Sequence, residues 1–543
     1  IYRFEPGKLI QIFNDDFAIN ISSRFSSSPI DKEEKVTIDS PELLNVGSLE
    51  KDMLIAVRFN PDSKNAELKY IKIDGLNSKE IEDFGKLLGN EGKVYFVTAD
   101  PHGTALNIQA MLKTLYLTGI DRDRVEFKIL GDWSDRGPVW QAHQLWPSAD
   151  VLVGNHDLWF MLAALGRPDY IAHAILHGFR YGKEAMNNLV REMGIDRKII
   201  DDFEHLAKST YASRVIDIRK ERESGLISKR GPRTEAELAA LMIYLLEIAV
   251  SDEFQFKRAR LKYLYPLLKD EYRQELQGYE DENFAREKLL QLMNLAKDPL
   301  DILSSAWSKM MKALQDIIAR SPKAKRLVSN VLKDDIYRIV RLASGKKALF
   351  THALPWAFNA DGTIHEYVVS DEEGKRVLKG FAFLEYAQRK WEELRKSISS
   401  GEKNEELIQW VHQYLSMGEH ALLYLRVKNF SGFSFFDEEE PDNWAYSFSG
   451  VRDSAFPKDT KNNLMSFFSL AESDFDRIGE YYRTNESGRS KFVREMAKDC
   501  GVDFIVGGHV GETGIYGERL FLIDAKHARK EGLGGFIHFI FKN

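Results

Sequence analysis

Three short runs constrain this chain most: Asp100-Pro101-His102-Gly103, Gly131-Asp132-Trp133-Ser134-Asp135-Arg136-Gly137-Pro138 and Gly154-Asn155-His156-Asp157. Each closes an apolar segment, respectively Val94–Val97, Phe127–Leu130 and Val151–Val153. Apolar runs of this length read as buried strands, and parallel sheets bind ligands just beyond the carboxyl ends of their strands. Between the first two runs, Ala105–Leu117 carries apolar residues at helical spacing. Residues 94–130 therefore read as a β-α-β unit, which demands parallel strands and an α/β fold.

Asp, His and Asn at strand ends supply oxygen and nitrogen donors, which suit hard or borderline divalent metals and not a thiolate cluster. Two later histidines stand in the same position: His352 after Leu349-Phe350-Thr351, and His509 after Ile505-Val506-Gly507-Gly508. The expected ligands are therefore Asp100, His102, Asp132, Asn155, His352 and His509. Asp132 is expected to bridge, because two cations roughly 3.5–4 Å apart need a shared anion and a carboxylate has two oxygens. The chemistry implied is hydrolysis of a phosphate ester with two metal ions. Arg136 would clamp two phosphate oxygens. His156 would protonate the leaving group, with Asp135 orienting its ring.

Other features carry less. The net charge of −7 argues against a general nucleic-acid binder. No apolar run approaches the roughly 18 residues of a membrane span. Leu238–Val250 reads instead as a buried helix opened by a capping box, Thr234 with Glu237. The single cysteine, Cys500, excludes an internal disulfide and reads as an inert thiol at a helix end. His173 and His177, at i, i+4 on a helix, could bind metal, but with no third donor in view they read as packing or surface residues, and Lys323-Ala324-Lys325-Arg326 reads as a solvated helix face. A substrate with a second phosphate needs further cations, for which Arg180, Lys183, Lys526, His527 and Arg529 are the candidates.

At 543 residues the chain has room for about two to four domains. Residues 1–76 read as a β-rich extension of unknown role, with a hairpin between Leu54–Phe59 and Leu68–Ile73. Residues 77–180 read as the first half of a catalytic core and 181–345 as a helical insertion, broken near Gly231-Pro232, Asp298-Pro299 and Ser321-Pro322. The second half, 346–543, holds a further helical or irregular stretch at about 375–500, with an acidic surface loop at Asp437–Asp442. There is no internal repeat and no long low-complexity tract. The chain opens on Ile1 and not on Met, which leaves open both export after signal cleavage and a shortened N-terminus.

The ordered set D-x-H-G, G-D-x-x-D-R-G-P, G-N-H-D, a strand-end His and a Gly-Gly-His resembles the calcineurin-like metallophosphatases. That resemblance implies an αββα sandwich with the metals at one edge, and the Asp135-Arg136-Gly137 segment is similar to the phosphomonoesterase branch. From about residue 94 onward the chain is more closely similar to the bacterial class III fructose-1,6-bisphosphatases. The similarity rests on Leu158-Trp159-Phe160-Met161-Leu162-Ala163-Ala164 after the third run, the long helical insertion before Thr351-His352, and Leu522–Ala528 with Gly532–Phe536 near the end. It differs at Pro101 and Thr104 in the first motif, at Val510 after the last ligand, and at Ala525-Lys526-His527, where the family has a double glycine.

The resemblance implies two manganese ions, with iron or zinc as alternatives, a sugar bisphosphate substrate, no nucleic acid, and a cytoplasmic location. Oligomeric state is not implied. Competing readings on the same core are a serine/threonine protein phosphatase, a dinucleotide-polyphosphate hydrolase, and a non-catalytic metal-dependent scaffold.

Overall fold

The computed structural model describes residues 53–60, 65–72, 94–102, 124–133, 135, 149–212, 214, 219–220, 232–251, 262–277, 282–296, 298–342, 345–357, 363–371, 374–416, 420–425, 446–447, 467–471, 488–509, 514–516, 520–522 and 536–540. They form a mixed α/β protein with two compact units. The first takes its described residues from 1–155, 334–407 and 420–543, and the second from 156–333 and 408–419. The sequence reading draws the helical insertion at 181–345; the compact helical unit opens at His156 and closes at Lys333.

The first unit holds the sheets. In chain order its strands are β1 (Met53–Asn60), β2 (Asn65–Lys72), β3 (Val94–Thr98), β4 (Val125–Ile129), β5 (Asp150–Val151), β6 (Tyr337–Arg341) and β7 (Lys347–Thr351). There follow β8 (Glu366–Asp371), β9 (Gly374–Lys379), β10 (Tyr446–Ser447), β11 (Phe467–Ala471), β12 (Phe504–Gly507), β13 (Gly514–Tyr516), β14 (Leu520–Leu522) and β15 (Phe536–Ile540). One sheet has seven strands in the order β2-β1-β11-β15-β3-β4-β5, the other six in the order β10-β13-β14-β12-β7-β6, and β8 and β9 form a separate ribbon.

The motif-bearing strands are parallel within each sheet. β3 pairs with β4 and β4 with β5, while β12 pairs with both β7 and β14. Antiparallel strands flank them: β15 beside β3, and β6 beside β7. The expected hairpin is present, β1 pairing with β2, and β1 also runs parallel to β11 in the seven-stranded sheet. The expected helix over Ala105–Leu117 and the acidic loop at Asp437–Asp442 lie outside the described residues.

Val97, Phe127, Ile129, Leu349, Phe350, Ile505 and Val506 are buried along these strands. That is why their sequences read as short apolar runs without clean alternation. A chain of charges links the two sheets at their β5 and β6 edges. Lys128 Nζ lies 2.7 Å from Asp150, Arg338 reaches Asp150 at 3.3 Å and Asp335 at 2.7 Å, and Arg395 holds Asp335 at 2.9 Å.

The second unit is helical: α1 (Asn155–Ala164, entering the unit from its second residue), α2 (Pro168–Tyr181), α3 (Arg197–Thr210), α4 (Glu235–Ser251), α5 (Ser305–Arg320) and α6 (Pro322–Val331). α1 is apolar on all sides, and Leu158–Ala163 are buried, as such a helix must be. Half of the expected α4 capping box forms: the Glu237 amide donates to Thr234 Oγ1 at 3.1 Å, while its carboxylate accepts from the Arg233 amide, one residue before the cap. Pro299 and Pro322 each sit in the first turn of a new helical segment, where the missing amide costs nothing. Lys323, Lys325 and Arg326 are exposed on α6, as a solvated face should be. No helix among the described residues is long and apolar enough to cross a membrane.

Candidate active site

The five strand ends converge within the first unit. The Asp100 amide donates to the Gly131 carbonyl at 3.1 Å, and the His102 amide to the Asp132 carbonyl at 2.7 Å. On the other sheet the Gly508 amide donates to the His352 carbonyl at 2.8 Å. The sheets are tied to each other by the His509 amide, which donates to Asp100 Oδ2 at 2.7 Å. Two glycines make this approach possible. A Cβ at Gly154 would collide with the Asp132 amide and carboxylate, and one at Gly508 would sit 2.5 Å from Ala99 Cβ.

Among the described residues, four that are not glycine have positive φ: Asp100 at 53°, His102 at 48°, Asp132 at 53° and His509 at 66°. All four are expected ligands. The left-handed region costs an ordinary side chain on the order of 1 kcal/mol or more, and such strain persists only where the surroundings enforce it. Here it turns the chain sharply after the strand at all four positions. Strain has gathered at the metal motifs and at no other described non-glycine position.

The donor atoms of Asp100, Asp132, His352 and His509 all lie within 4.8 Å of one another, and all four residues are buried. His352 shows what this cluster fits. Its Nδ1 is 2.6 Å from the Leu130 carbonyl, which can only accept, so Nδ1 carries the proton. In the neutral ring Nε2 then presents its lone pair to Asn155 Oδ1 at 2.9 Å and Asp132 Oδ1 at 3.5 Å. Three electron-rich atoms thus face one point, as ligands do around a cation. Bonds of about 2.1 Å give ligand-to-ligand edges of about 3.0–3.4 Å, within about 0.1 Å of these two separations. A histidine whose second nitrogen is pinned to a carbonyl is also how proteins orient metal ligands. The residues fit divalent cations, and burying the two carboxylates without any would cost several kcal/mol each.

Asp132 also lies within 4.8 Å of the His102 donor atom. It therefore belongs to two groups of ligands at once, as a bridging carboxylate must. His102 is hydrogen-bonded to Asp135: Asp135 Oδ1 is 2.6 Å from His102 Nδ1, and Asp135 is fully buried. No sequence signal pairs these two residues, because they sit on different strand ends.

His156 opens the second unit on α1 and is buried. Its ring lies 4.5 Å from that of Trp159 and 4.9 Å from that of His177. His173 and His177 are buried on α2 and so are not surface residues. The histidine spacing on α2 was the signal that could have found this group. Arg180 lies half-buried one turn beyond His177, with its Nε lacking a hydrogen-bond partner, and Lys183 is exposed. Arg136, Lys526, His527 and Arg529 lie outside the described residues. Cys500 follows the helix at Gly488–Asp499, and burial pushes its thiol up, which makes it inert.

No curated protein and no solved structure matches the chain. A family model for the Firmicute fructose-1,6-bisphosphatase matches residues 110–510, well over half of the sequence. The match contains Asp132, Asn155, His352 and His509; Asp100 and His102 stand just before it. With buried Asp and His residues able to hold divalent metal, and a match of this extent, the chain belongs to the Firmicute fructose-1,6-bisphosphatase family of phosphoric monoester hydrolases.

Proposed function

We propose that the chain removes one phosphate from a sugar bisphosphate on a calcineurin-like core, using two manganese ions held by Asp100, His102, Asp132, Asn155, His352 and His509. The observation that carries this is the set of strained, buried strand-end donors facing one another in the first unit. When bound, the ions would supply Lewis acidity, neutralising phosphate oxygens and acidifying a water. The chain's own residues do the rest. Asp132 shares its carboxylate between the two ligand groups, and Asp135 fixes the His102 ring. Arg136 grips two phosphate oxygens in a bidentate fork.

His156 donates a proton to the departing sugar oxygen, a role supported by its place next to Asn155 in the chain. Arg180, Lys526, His527 and Arg529 are the cations we assign to the second phosphate. On this reading a core interrupted by a helical insertion carries 1–76 as an extension, and the enzyme works in the cytoplasm.

Turnover after chelation and metal restoration tests the reading. We expect no activity without metal, recovery with manganese before iron or zinc, and release of phosphate from fructose-1,6-bisphosphate. Faster turnover of a phosphopeptide or a dinucleotide polyphosphate would transfer the assignment to those substrates. Metal binding with no turnover of any of them would leave a scaffold.

A further inference from the structure

We propose that Trp159 is a positioning residue that aims the His156 imidazole, and that it is itself held by the 408–416 segment; the proposal rests on His156 being the proton donor. His156 and Trp159 are three residues apart on α1 and so share a face. Their ring centroids are 4.5 Å apart with the planes tilted at 53°. His177 closes on the imidazole at 4.9 Å and 63°. The imidazole thus packs against an indole and a second imidazole whose centroids are 6.1 Å apart, and its rotation about the last side-chain bond is limited by both.

The indole is in turn fixed at its polar end. Trp159 Nε1 donates to the Ser416 carbonyl at 3.2 Å in a buried bond. Its ring meets that of His173 edge-on at 4.3 Å. Ser416 ends a π-helical turn, His412–Ser416, a form that gathers at functional sites. That turn is anchored by Tyr170 of α2, whose hydroxyl lies 2.5 Å from Ser416 Oγ and 2.8 Å from His412 Nδ1. A line of contacts therefore runs from Tyr170 through Ser416 and Trp159 to His156.

An ordinary core position would need only apolar volume at 159. Here a planar ring is set by a hydrogen bond across 257 residues of sequence, and its neighbour is the residue whose direction matters. A proton donor must point its N–H along the bond being broken, and displacement by about 1 Å can cost on the order of 100-fold. Trp159 supplies that direction without touching substrate.

The test compares fructose-1,6-bisphosphate, whose leaving group needs a proton, with p-nitrophenyl phosphate, whose leaving group does not. The readout is the ratio of kcat values in the manganese-loaded enzyme. His156→Ala is expected to lower this ratio strongly. Trp159→Leu should lower it roughly tenfold, through kcat and with little change in KM, and Trp159→Phe, which keeps a ring and loses the Nε1–H, should fall between. In the His156→Ala background Trp159→Leu should change the ratio no further. If Trp159→Leu does not fold, by its melting curve, Trp159→Phe carries the test alone.

Equal losses on both substrates in the Trp159 variants, with the ratio changed in His156→Ala, overturn the positioning role alone. An unchanged ratio in His156→Ala overturns the proton-donor reading beneath it.

Discussion

The strand ends of the first unit and the helices of the second bury polar groups in opposite ways. The strand ends hold Asp100, Asp132, His352 and His509 with their donor atoms converging, on a backbone forced into the left-handed region at three of the four. The helical unit buries His173, His177 and His412 among rings and hydroxyls, on regular α and π turns. One set is costly until a cation arrives; the other is packed among rings, with His412 also bonded to the Tyr170 hydroxyl. On the proposed function the first kind of burial serves metal binding and the burial of His173, His177 and His412 serves stability, so mutations at these two sets should act in opposite directions.

Asp132→Asn should break that contrast most visibly. Manganese affinity and turnover should fall by more than ~100-fold, since the shared charge is gone. The metal-free protein should melt higher than its parent, because a buried charge is removed and the new amide can donate to His352 Nε2. A lower melting point in the metal-free variant would mean the strand-end cluster is not under the tension described.

The helical histidines predict a pH effect of the next size. Burial lowers the His412 pKa from 6.5 to about 4, with Arg167 adding to the shift. Between those values the unfolded chain binds a proton that the folded chain refuses. Stability is therefore complete above pH 6.5 and falls as pH drops toward 4, by on the order of 3 kcal/mol at the lower end. His365, lowered to about 4 by burial and by His420, adds to the same slope. Denaturant melts between pH 4 and 7 check this, and His412→Gln should flatten the curve.

Two smaller effects sharpen the comparison. Asp135→Asn weakens the hold on His102, and manganese titration should show a loss of about 10–100-fold in affinity. Tyr170→Phe removes a hydroxyl shared by His412 and Ser416, at about 1–2 kcal/mol of stability in denaturant melts. The first should leave the melting point nearly unchanged without metal, and the second should leave manganese affinity unchanged.

Much of the site was legible because its information is local. A strand end and a donor lie within a few adjacent positions at Asp100, Asp132, Asn155, His352 and His509, with a glycine within three residues at all but His352. The helix cap at Thr234 and the helix starts at Pro299 and Pro322 were legible for the same reason. What could not be read were contacts between distant segments. Asp135 beside His102 is one, since nothing in either run names the other. Trp159 against Ser416 is another, as is the opening of the helical unit at His156, one residue beyond Asn155 and inside a continuous helix.

Sequence alone determined which atoms are available for chemistry, because ligand type and turn geometry are written in neighbouring residues. It also determined that parallel strands would present them, through the β-α-β spacing. Tertiary structure decided which donors meet, which ring each carboxylate steadies, and where the backbone is strained. Those outcomes depend on packing between strands and helices far apart in the chain, and the free energy that enforces them comes from burial, which no short run of residues contains.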